Sequence, residues 1–157
     1  MNKSFSGILI LTFACLSLAP GYAGAQNEGR TGLGLMIGEP TGISFKHWTS
    51  DRNAFDAGFA WSLGQYDSIH LHGDYLWHNF SALGNVEEGE LPFYYGVGAR
   101  VAFNDKEAVI GARVPVGISY IFEDAPLDLF LEVAPTLNLI PATDFDINGA
   151  LGIRIHL

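Results

Sequence analysis

From Gly29 to the end of the chain, apolar residues alternate with polar or small residues at a period of two. A period of two is the repeat of an extended strand, whose successive side chains point to opposite faces, whereas an amphipathic helix repeats every 3.6 residues. Short clusters rich in Gly, Pro, Asn, Asp and Ser interrupt the alternation, as turns do. The pattern therefore predicts an all-β chain.

The alternation divides into eight segments. The predicted strands are Thr31–Ile37, Ile43–Trp48, Ala54–Trp61, Ser68–His78, Phe93–Phe103, Ile110–Phe122, Leu127–Leu139 and Phe145–Leu157. All connections except Asn79–Pro92 are short, so each strand should pair antiparallel with the one before it. Closing this meander into a ring removes the two unpaired edges that promote aggregation. We therefore predict an eight-stranded antiparallel up-and-down β-barrel, with bulges or edges where Pro115 and Pro135 interrupt strands.

The first 25 residues have the features of a secretory signal peptide. Lys3 supplies a positive charge, Ile8–Leu18 forms an apolar core shorter than the roughly 20 residues of a spanning helix, and Ala23-Gly24-Ala25 offers a small-residue cleavage site. We expect residues 1–25 to direct export through the Sec pathway and residues 26–157 to form one barrel domain. Lipoprotein processing at Cys15 is the alternative, but Thr12-Phe13-Ala14 lacks the expected Leu.

Composition indicates which face of the barrel points outward. Charged residues make up only 16% of the chain and glycines number 19, while a water-exposed surface has about 25–35% charged residues. The more polar face consists of Gly, Ser, Ala and Asn with single charges of both signs, which suits a narrow lumen. The apolar face is long enough in the last four strands to cross a bilayer. We predict a transmembrane barrel in an outer membrane, with a soluble periplasmic lipocalin-like ligand-binding barrel as the alternative.

Aromatic residues near the strand ends fit the interfacial girdles of such a barrel. The predicted girdle residues are Trp48, Trp61, Trp77, Phe93, Phe103, Tyr120, Phe122 and Phe145.

Six charged residues lie on the polar faces of the last four predicted strands. They are Arg100, Arg113 and Arg154, with Asp128, Glu132 and Asp146. Because an unpaired buried charge costs several kcal/mol, we expect them to pair and fill the lumen as a structural network. A selectivity ring would need a wider pore than eight strands provide.

The polar face of the fourth predicted strand carries His70, His72, Asp74 and His78. Alternate residues of a strand lie about 6–7 Å apart, so His70, His72 and Asp74 could ligate zinc or copper. We favour the alternative of a hydrogen-bonded polar cluster in the lumen, with no metal and no cofactor.

A small-barrel lipid-modifying enzyme would need a serine nucleophile beside a histidine base. Ser62, Ser68 and Ser81 have no spacing to the histidines that requires such a pair, so we expect no catalytic residues and no enzymatic activity. The formal charge of −9 disfavours nucleic acid as a partner. The expected partners are outer-membrane lipid, the outer-membrane assembly machinery and an unidentified surface ligand.

Five segments together resemble a family of small bacterial outer-membrane β-barrel proteins. They are GEPTGIS (Gly38 to Ser44), DYLWHNF (Asp74 to Phe80), LPFYYGVGAR (Leu91 to Arg100), RVPVGISYIF (Arg113 to Phe122) and APLDLFLEVAPTLNLIPATDFDINGALGIRI (Ala125 to Ile155). The resemblance covers nearly all of the mature chain and implies an outer-membrane barrel with a structural or surface-interaction role. By strand count and size the chain is also similar to barrels of the OmpX and OmpA type. This likeness concerns architecture only and assigns no functional residue to the chain.

Two features depart from the pattern of such barrels. The chain ends in Leu157 rather than in an aromatic residue. With both termini in the periplasm, the long connection Asn79–Pro92 is also expected there, and the outward loops are expected to be short.

Overall fold

The structure is a computed structural model that describes residues 29–39, 41–63 and 67–157. The predicted signal peptide lies outside the described residues. The described residues form nine strands: β1 (Thr31–Glu39), β2 (Thr41–Trp48), β3 (Asn53–Leu63), β4 (Asp67–Asn79), β5 (Phe93–Phe103), β6 (Ala108–Arg113), β7 (Val116–Ile121), β8 (Leu127–Ile140) and β9 (Asp144–His156). Among the described residues, no helix is long and apolar enough to cross a membrane.

The strands form a closed ring. Strands β1 to β5 pair in chain order, β5 pairs with both β6 and β7, both of these pair with β8, and β8 pairs with β9. The ring closes where β9 returns antiparallel to β1, in a register that runs from Gly32 opposite His156 to Glu39 opposite Gly149. Since β6 and β7 occupy one position between β5 and β8, the ring has eight strand positions. The predicted eight-stranded antiparallel barrel is confirmed.

Pro115 divides the predicted sixth strand into β6 and β7. Its pyrrolidine nitrogen has no hydrogen to donate to the ladder, although its carbonyl accepts a hydrogen bond of 2.9 Å from the Gly96 N–H. The register against β5 is the same on both sides of the break, with Gly98 opposite Arg113 and Tyr95 opposite Val116. The interruption is therefore local. The predicted break of the strand at Pro115 is present, but it involves no bulge because the register does not shift there.

Pro135, in contrast, lies within β8 in regular register opposite Ile147. Its carbonyl accepts a hydrogen bond of 3.0 Å from the Val114 N–H, across the gap between β6 and β7. The register shift on that side of β8 lies between Ile110 and Gly111 of β6. Of the two predicted alternatives, a bulge or an edge site, the structure shows no bulge at Pro135. Its missing N–H falls where the neighbouring strand is interrupted, which is an edge-like position.

The two faces of the ring have opposite polarity. On β8, Leu129, Leu131 and Val133 point outward and are 39–51% exposed. The alternating residues Asp128 and Glu132 point inward and are 0% and 7% exposed. Large apolar side chains thus cover the outside, and polar and charged side chains occupy the lumen.

The two ends of the barrel also differ. The terminal end carries Gly29 and Leu157, which are the first and last described residues, together with the β2–β3 turn, residues 80–92 and the β7–β8 turn. Two contacts hold residues 80–92 against β7. Glu90 forms an isolated antiparallel β-bridge with Ile121, and the Tyr120 hydroxyl donates a 2.7 Å hydrogen bond to the Glu88 carbonyl. The distal end carries the turns that follow β1, β3, β5 and β8.

Outward aromatic rings form two bands, one near each end. Toward the terminal end, Phe55, Tyr75, Trp77 and Tyr95 follow one another with centroids 5.1–5.8 Å apart. Of the predicted girdle residues, Trp77, Phe93, Tyr120 and Phe122 lie toward the terminal end, and Trp61, Phe103 and Phe145 lie toward the distal end.

Trp48 differs from the expected girdle position. Its ring lies 4.4 Å from the ring of His78, which is buried in the lumen. The reason is the strand period, which places Trp48 on the same face of β2 as the buried residues Ser44 and Lys46.

Replacing Gly34 by Ala should destabilise the seam between β1 and β9. A Cβ at Gly34 would overlap the carbonyl oxygen of Ile153 and lie 2.7 Å from Cα of Arg154, so the two backbones would have to separate. We expect the free energy of unfolding to fall by about 1–3 kcal/mol, measured by denaturant titration of the refolded protein in detergent micelles. The control is Gly73→Ala, whose Cβ would meet nothing within 4 Å. Equal stabilities of the two variants would contradict the close approach at the seam.

Candidate functional site

Charged side chains fill the lumen. Among the described residues, four cationic and four anionic side chains are buried: Lys46, Arg100, Arg113 and Arg154, with Asp56, Asp74, Asp128 and Glu132. The alternation of each strand directs them all inward. Because the two signs are equal in number, the formal charges of these eight side chains sum to zero.

Arg154 of β9 is the centre of the first group. Its guanidinium forms an ion pair with Asp56, and its Nη1 lies 3.6 Å from Oδ1 of Asp128. Its Nε donates a hydrogen bond of 2.9 Å to Oγ of Ser44. The planar cation also lies over the ring of Phe130, 3.8 Å from the centroid, in a cation–π contact. One side chain therefore links β2, β3, β8 and β9.

Arg113 is the centre of the second group. Its Nη2 donates a hydrogen bond of 2.5 Å to Oε1 of Glu132, whose Oε2 accepts one of 2.9 Å from the hydroxyl of Tyr94. Nε of Arg113 lies 3.1 Å from Oδ2 of Asp74. This group joins β4, β5, β6 and β8 across the lumen.

Arg100 forms the third group, toward the distal end. Its guanidinium donates hydrogen bonds of 2.8–3.2 Å to the side-chain carbonyls of Asn138 and Asn148. It also forms a 3.0 Å ion pair with Asp146, whose side chain is 45% exposed. The partial exposure of Asp146 leaves this pair partly solvated.

Lys46 lies near the terminal end and forms no ion pair within 4 Å in the part of the chain that the structure describes. Its Nζ lies 2.9 Å from Nε2 of His78, in a hydrogen bond. The ammonium also lies 4.4 Å from the ring centroid of Trp48 and 5.5 Å from that of Tyr94. Aromatic faces and one imidazole thus surround the cation.

The six charged residues that the sequence analysis grouped together occupy three ion pairs. The structure joins Arg100 to Asp146, Arg113 to Glu132 and Arg154 to Asp128. Lys46 and Asp56 were not among the predicted lumen charges, and Asp74 was expected to lie with the histidines. The alternation on β2 and β3 would have identified Lys46 and Asp56 as lumen residues, because they lie on the same strand faces as the small inward residues.

The predicted histidine cluster is spread along the lumen. His78 contacts Lys46 near the terminal end, and Nε2 of His70 lies 2.9 Å from Oγ of Ser68 near the distal end. His72 lies between them, beside two carboxylates. The structure thus brings His72 together with Asp56 and Asp74, and it places His70 in a separate contact.

Among the described residues, one serine and one histidine, Ser68 and His70, are hydrogen-bonded to each other. Both side chains follow the inward face of β4, away from the outer wall. A catalytic pair also needs a group that orients the second ring nitrogen, and the described residues offer His70 no carboxylate within 4 Å. The side chain of Ser62 lies outside the described part, and Ser81 is exposed in the connection at the terminal end.

Within the described residues, the lumen is open at the terminal end and contains a small cavity beyond it. A cavity of about 900 Å³ opens at the terminal end, lined by Trp48, Arg52 and Phe122 among others. A second cavity, lined by His72, Arg113 and Glu132 with the rim residue Glu39, measures about 10 Å³. A space of that size holds about one water molecule.

Comparison with known proteins identifies the fold. The chain is similar to the N-terminal β-barrel domain of Pseudomonas aeruginosa OprF, with a TM-score of 0.58 and 11% sequence identity over 81% of this chain and 95% of that chain. It is also similar to Neisserial surface protein A (NspA), with a TM-score of 0.49 and 13% identity over 81% and 93% of the two chains. No protein-family model and no curated protein matches the sequence. The resemblance to small outer-membrane β-barrels is thus confirmed at the level of the fold.

Arg154→Leu should be among the most destabilising single substitutions in the lumen. It leaves the carboxylates of Asp56 and Asp128 buried without their guanidinium, and breaking a buried pair in this way costs about 3–5 kcal/mol. The control is Arg100→Leu, which should cost less because Asp146 can be solvated. Urea titration followed by tryptophan fluorescence measures both. A loss for Arg154→Leu no larger than that for Arg100→Leu would contradict the central position of Arg154.

Proposed function

We propose that the protein is a non-enzymatic outer-membrane β-barrel protein with a filled, charge-paired lumen and a structural or surface-interaction role. The observation that carries the proposal is the reversed polarity of the ring. Large apolar side chains cover the outside, while eight charged side chains are buried inside. In water such a surface would promote association, whereas in a bilayer it is the surface that the lipid solvates.

The distribution of outward side chains supports insertion across a membrane. Aliphatic residues such as Leu35, Leu131 and Ile153 occupy the middle of the wall, and aromatic rings lie toward both ends. This is the order in which lipid chains and headgroup regions meet a transmembrane barrel. Ring closure also pairs the strand edges, which a hydrocarbon environment requires because no water can solvate them.

The interior supports a structural role over a ligand-binding one. A soluble lipocalin-like barrel encloses a small ligand in its interior, and an eight-stranded ring has room for such a ligand only if side chains leave it. Here Arg113, Arg154 and Phe130 occupy that space. The Ser68–His70 contact is directed into this lumen and not toward the lipid, which favours a non-enzymatic protein.

Orientation follows from the termini. We expect the end that carries Gly29 and Leu157 to face the periplasm, and the distal end to face outward. The connection 80–92 would then also be periplasmic, which departs from the short periplasmic turns usual in such barrels. A surface partner would then meet the distal rim. The exposed charged residues of that rim are Glu39, Asp105, Lys106, Glu107 and Asp144, so the rim is mainly acidic and would favour a partner with basic groups.

A charge on the outer wall should prevent membrane assembly. Leu35 lies at the middle of β1 and is 61% exposed, and Leu35→Arg would place a guanidinium among lipid chains at a cost of about 2–4 kcal/mol. We expect this variant to be depleted from the outer-membrane fraction, where the unchanged protein should migrate on gels in a heat-modifiable way. Both are measured by cell fractionation and by electrophoresis with and without boiling.

The matched control is Leu83→Arg in the connection at the terminal end. Leu83 is 47% exposed, so in a water-soluble protein the two substitutions would be about equally tolerated. We expect normal amounts of Leu83→Arg in the outer membrane. Recovery of the unchanged protein only in the soluble periplasm, or equal behaviour of the two variants, would refute the proposed location.

A filled lumen should not conduct ions. The refolded protein, added to a planar lipid bilayer, is expected to give no stepwise current, because Arg113, Arg154 and Phe130 are buried in the lumen and the cavity beside Arg113 measures about 10 Å³. Insertion is verified in parallel by the heat-modifiable migration of protein recovered from vesicles of the same lipid. Discrete conductance steps from this inserted protein would show that the lumen opens, and the structural role would be replaced by that of a pore.

A further inference from the structure

Two buried aspartates face each other across the β3–β4 pair. Asp56 and Asp74 are directly opposite in the register and are 4% and 2% exposed. Like charges in this position destabilise a sheet. Each carboxylate has its own arginine, since Asp56 pairs with Arg154 and Asp74 with Arg113. The arginines therefore offset the repulsion between the two aspartates. They do not supply a hydrogen bond to every carboxylate oxygen.

The carboxylate of Asp74 is incompletely satisfied by the protein. Nε of Arg113 approaches Oδ2 of Asp74 at 3.1 Å as an ion pair, while Oδ1 has no hydrogen-bond partner among the described residues. Leaving a buried acceptor without a partner costs about 1–3 kcal/mol. Arg154 likewise approaches Oδ2 of Asp56, so its contact does not use Oδ1.

His72 completes a group of three donors. One ligand atom from each of Asp56, His72 and Asp74 can be chosen so that all lie within 4.8 Å of one another. Two glycines make room for the group. Gly58 is opposite His72, and a Cβ there would overlap the imidazole; Gly98 is opposite Asp74, and a Cβ there would overlap Oδ1.

We propose that Asp56, His72 and Asp74 form a binding site for one divalent transition-metal ion of the zinc type. Two carboxylate oxygens and one imidazole nitrogen provide three protein ligands, with a water as the fourth. The imidazole favours such ions over calcium and magnesium, which prefer oxygen ligands alone. With bonds of about 2.0 Å, tetrahedral ligand atoms lie roughly 3.3 Å apart, so side-chain movements of about 1–1.5 Å would close the site.

The surrounding charges accommodate the added cation. Arg154 also contacts Asp128, and Arg113 also donates to Glu132. Each arginine therefore keeps a carboxylate partner when its aspartate binds the metal. The small cavity beside His72 extends to Glu39 at the distal rim, which marks the side from which an ion would approach.

Zinc titration of the refolded, metal-free protein in detergent tests the site. A chromogenic chelator that competes for zinc should report one tight site per chain. His72→Gln removes the imidazole ligand and should weaken binding by at least about tenfold, since even removing a hydrogen-bond partner of a metal ligand costs about 10–100-fold. His70→Gln is the matched control, because His70 contacts Ser68 outside the group. Its affinity should equal that of the unchanged protein.

Cobalt bound to the unchanged protein provides a readout that does not depend on a variant's folding. Visible absorption bands should indicate a four- or five-coordinate ion with nitrogen and oxygen ligands, and NMR of ¹⁵N-histidine-labelled protein should show that zinc shifts one imidazole. Absence of stoichiometric zinc binding would overturn the proposal, as would equal losses in His72→Gln and His70→Gln. The measurements are made in detergent, so their outcome is independent of where the barrel resides.

Discussion

The hydrogen-bonded seam between β1 and β9 closes the ring and thereby determines the size of its lumen. Closing eight strands sets their tilt and stagger, and these determine an interior that only side chains can fill. The inward faces therefore alternate large and small residues. Gly117 lies opposite Tyr94, and Gly152 lies opposite Phe130, where a Cβ on either glycine would overlap the aromatic ring.

The narrow lumen also determines how its charges are arranged. A buried cation must find its partners within a few ångströms, and arginine can contact several because its guanidinium presents five donors in a fixed plane. Arg154 thereby contacts Ser44 of β2 and Asp56 of β3. Neither of these strands pairs with β9. Such contacts brace the ring across its interior, in addition to the ladder around its circumference.

Reversed polarity and lumen chemistry are consequences of the same alternation. Each strand presents one face to the surroundings and one to the lumen, so a wall suited to lipid leaves the polar residues inside. Inside the ring, carboxylates, imidazoles and guanidinium groups from different strands come within reach of one another. Asp56, His72 and Asp74 come together for this reason, in a lumen where buried charges must first be paired.

The alternation in the sequence is enough to assign the strands, the two faces of each strand and the residues that can point into the lumen, because these depend only on a period of two and on turn-forming residues. Arg100, Arg113 and Arg154 were therefore recognisable as lumen residues, and so in principle were Lys46 and Asp56. Which of these residues meet depends on how the strands pair in three dimensions. Asp56 rather than His70 joins His72 and Asp74, because the β3–β4 register places Asp56 opposite Asp74. Register and stagger are set by ring closure, which involves strands far apart in the chain and leaves no periodic signal in the sequence.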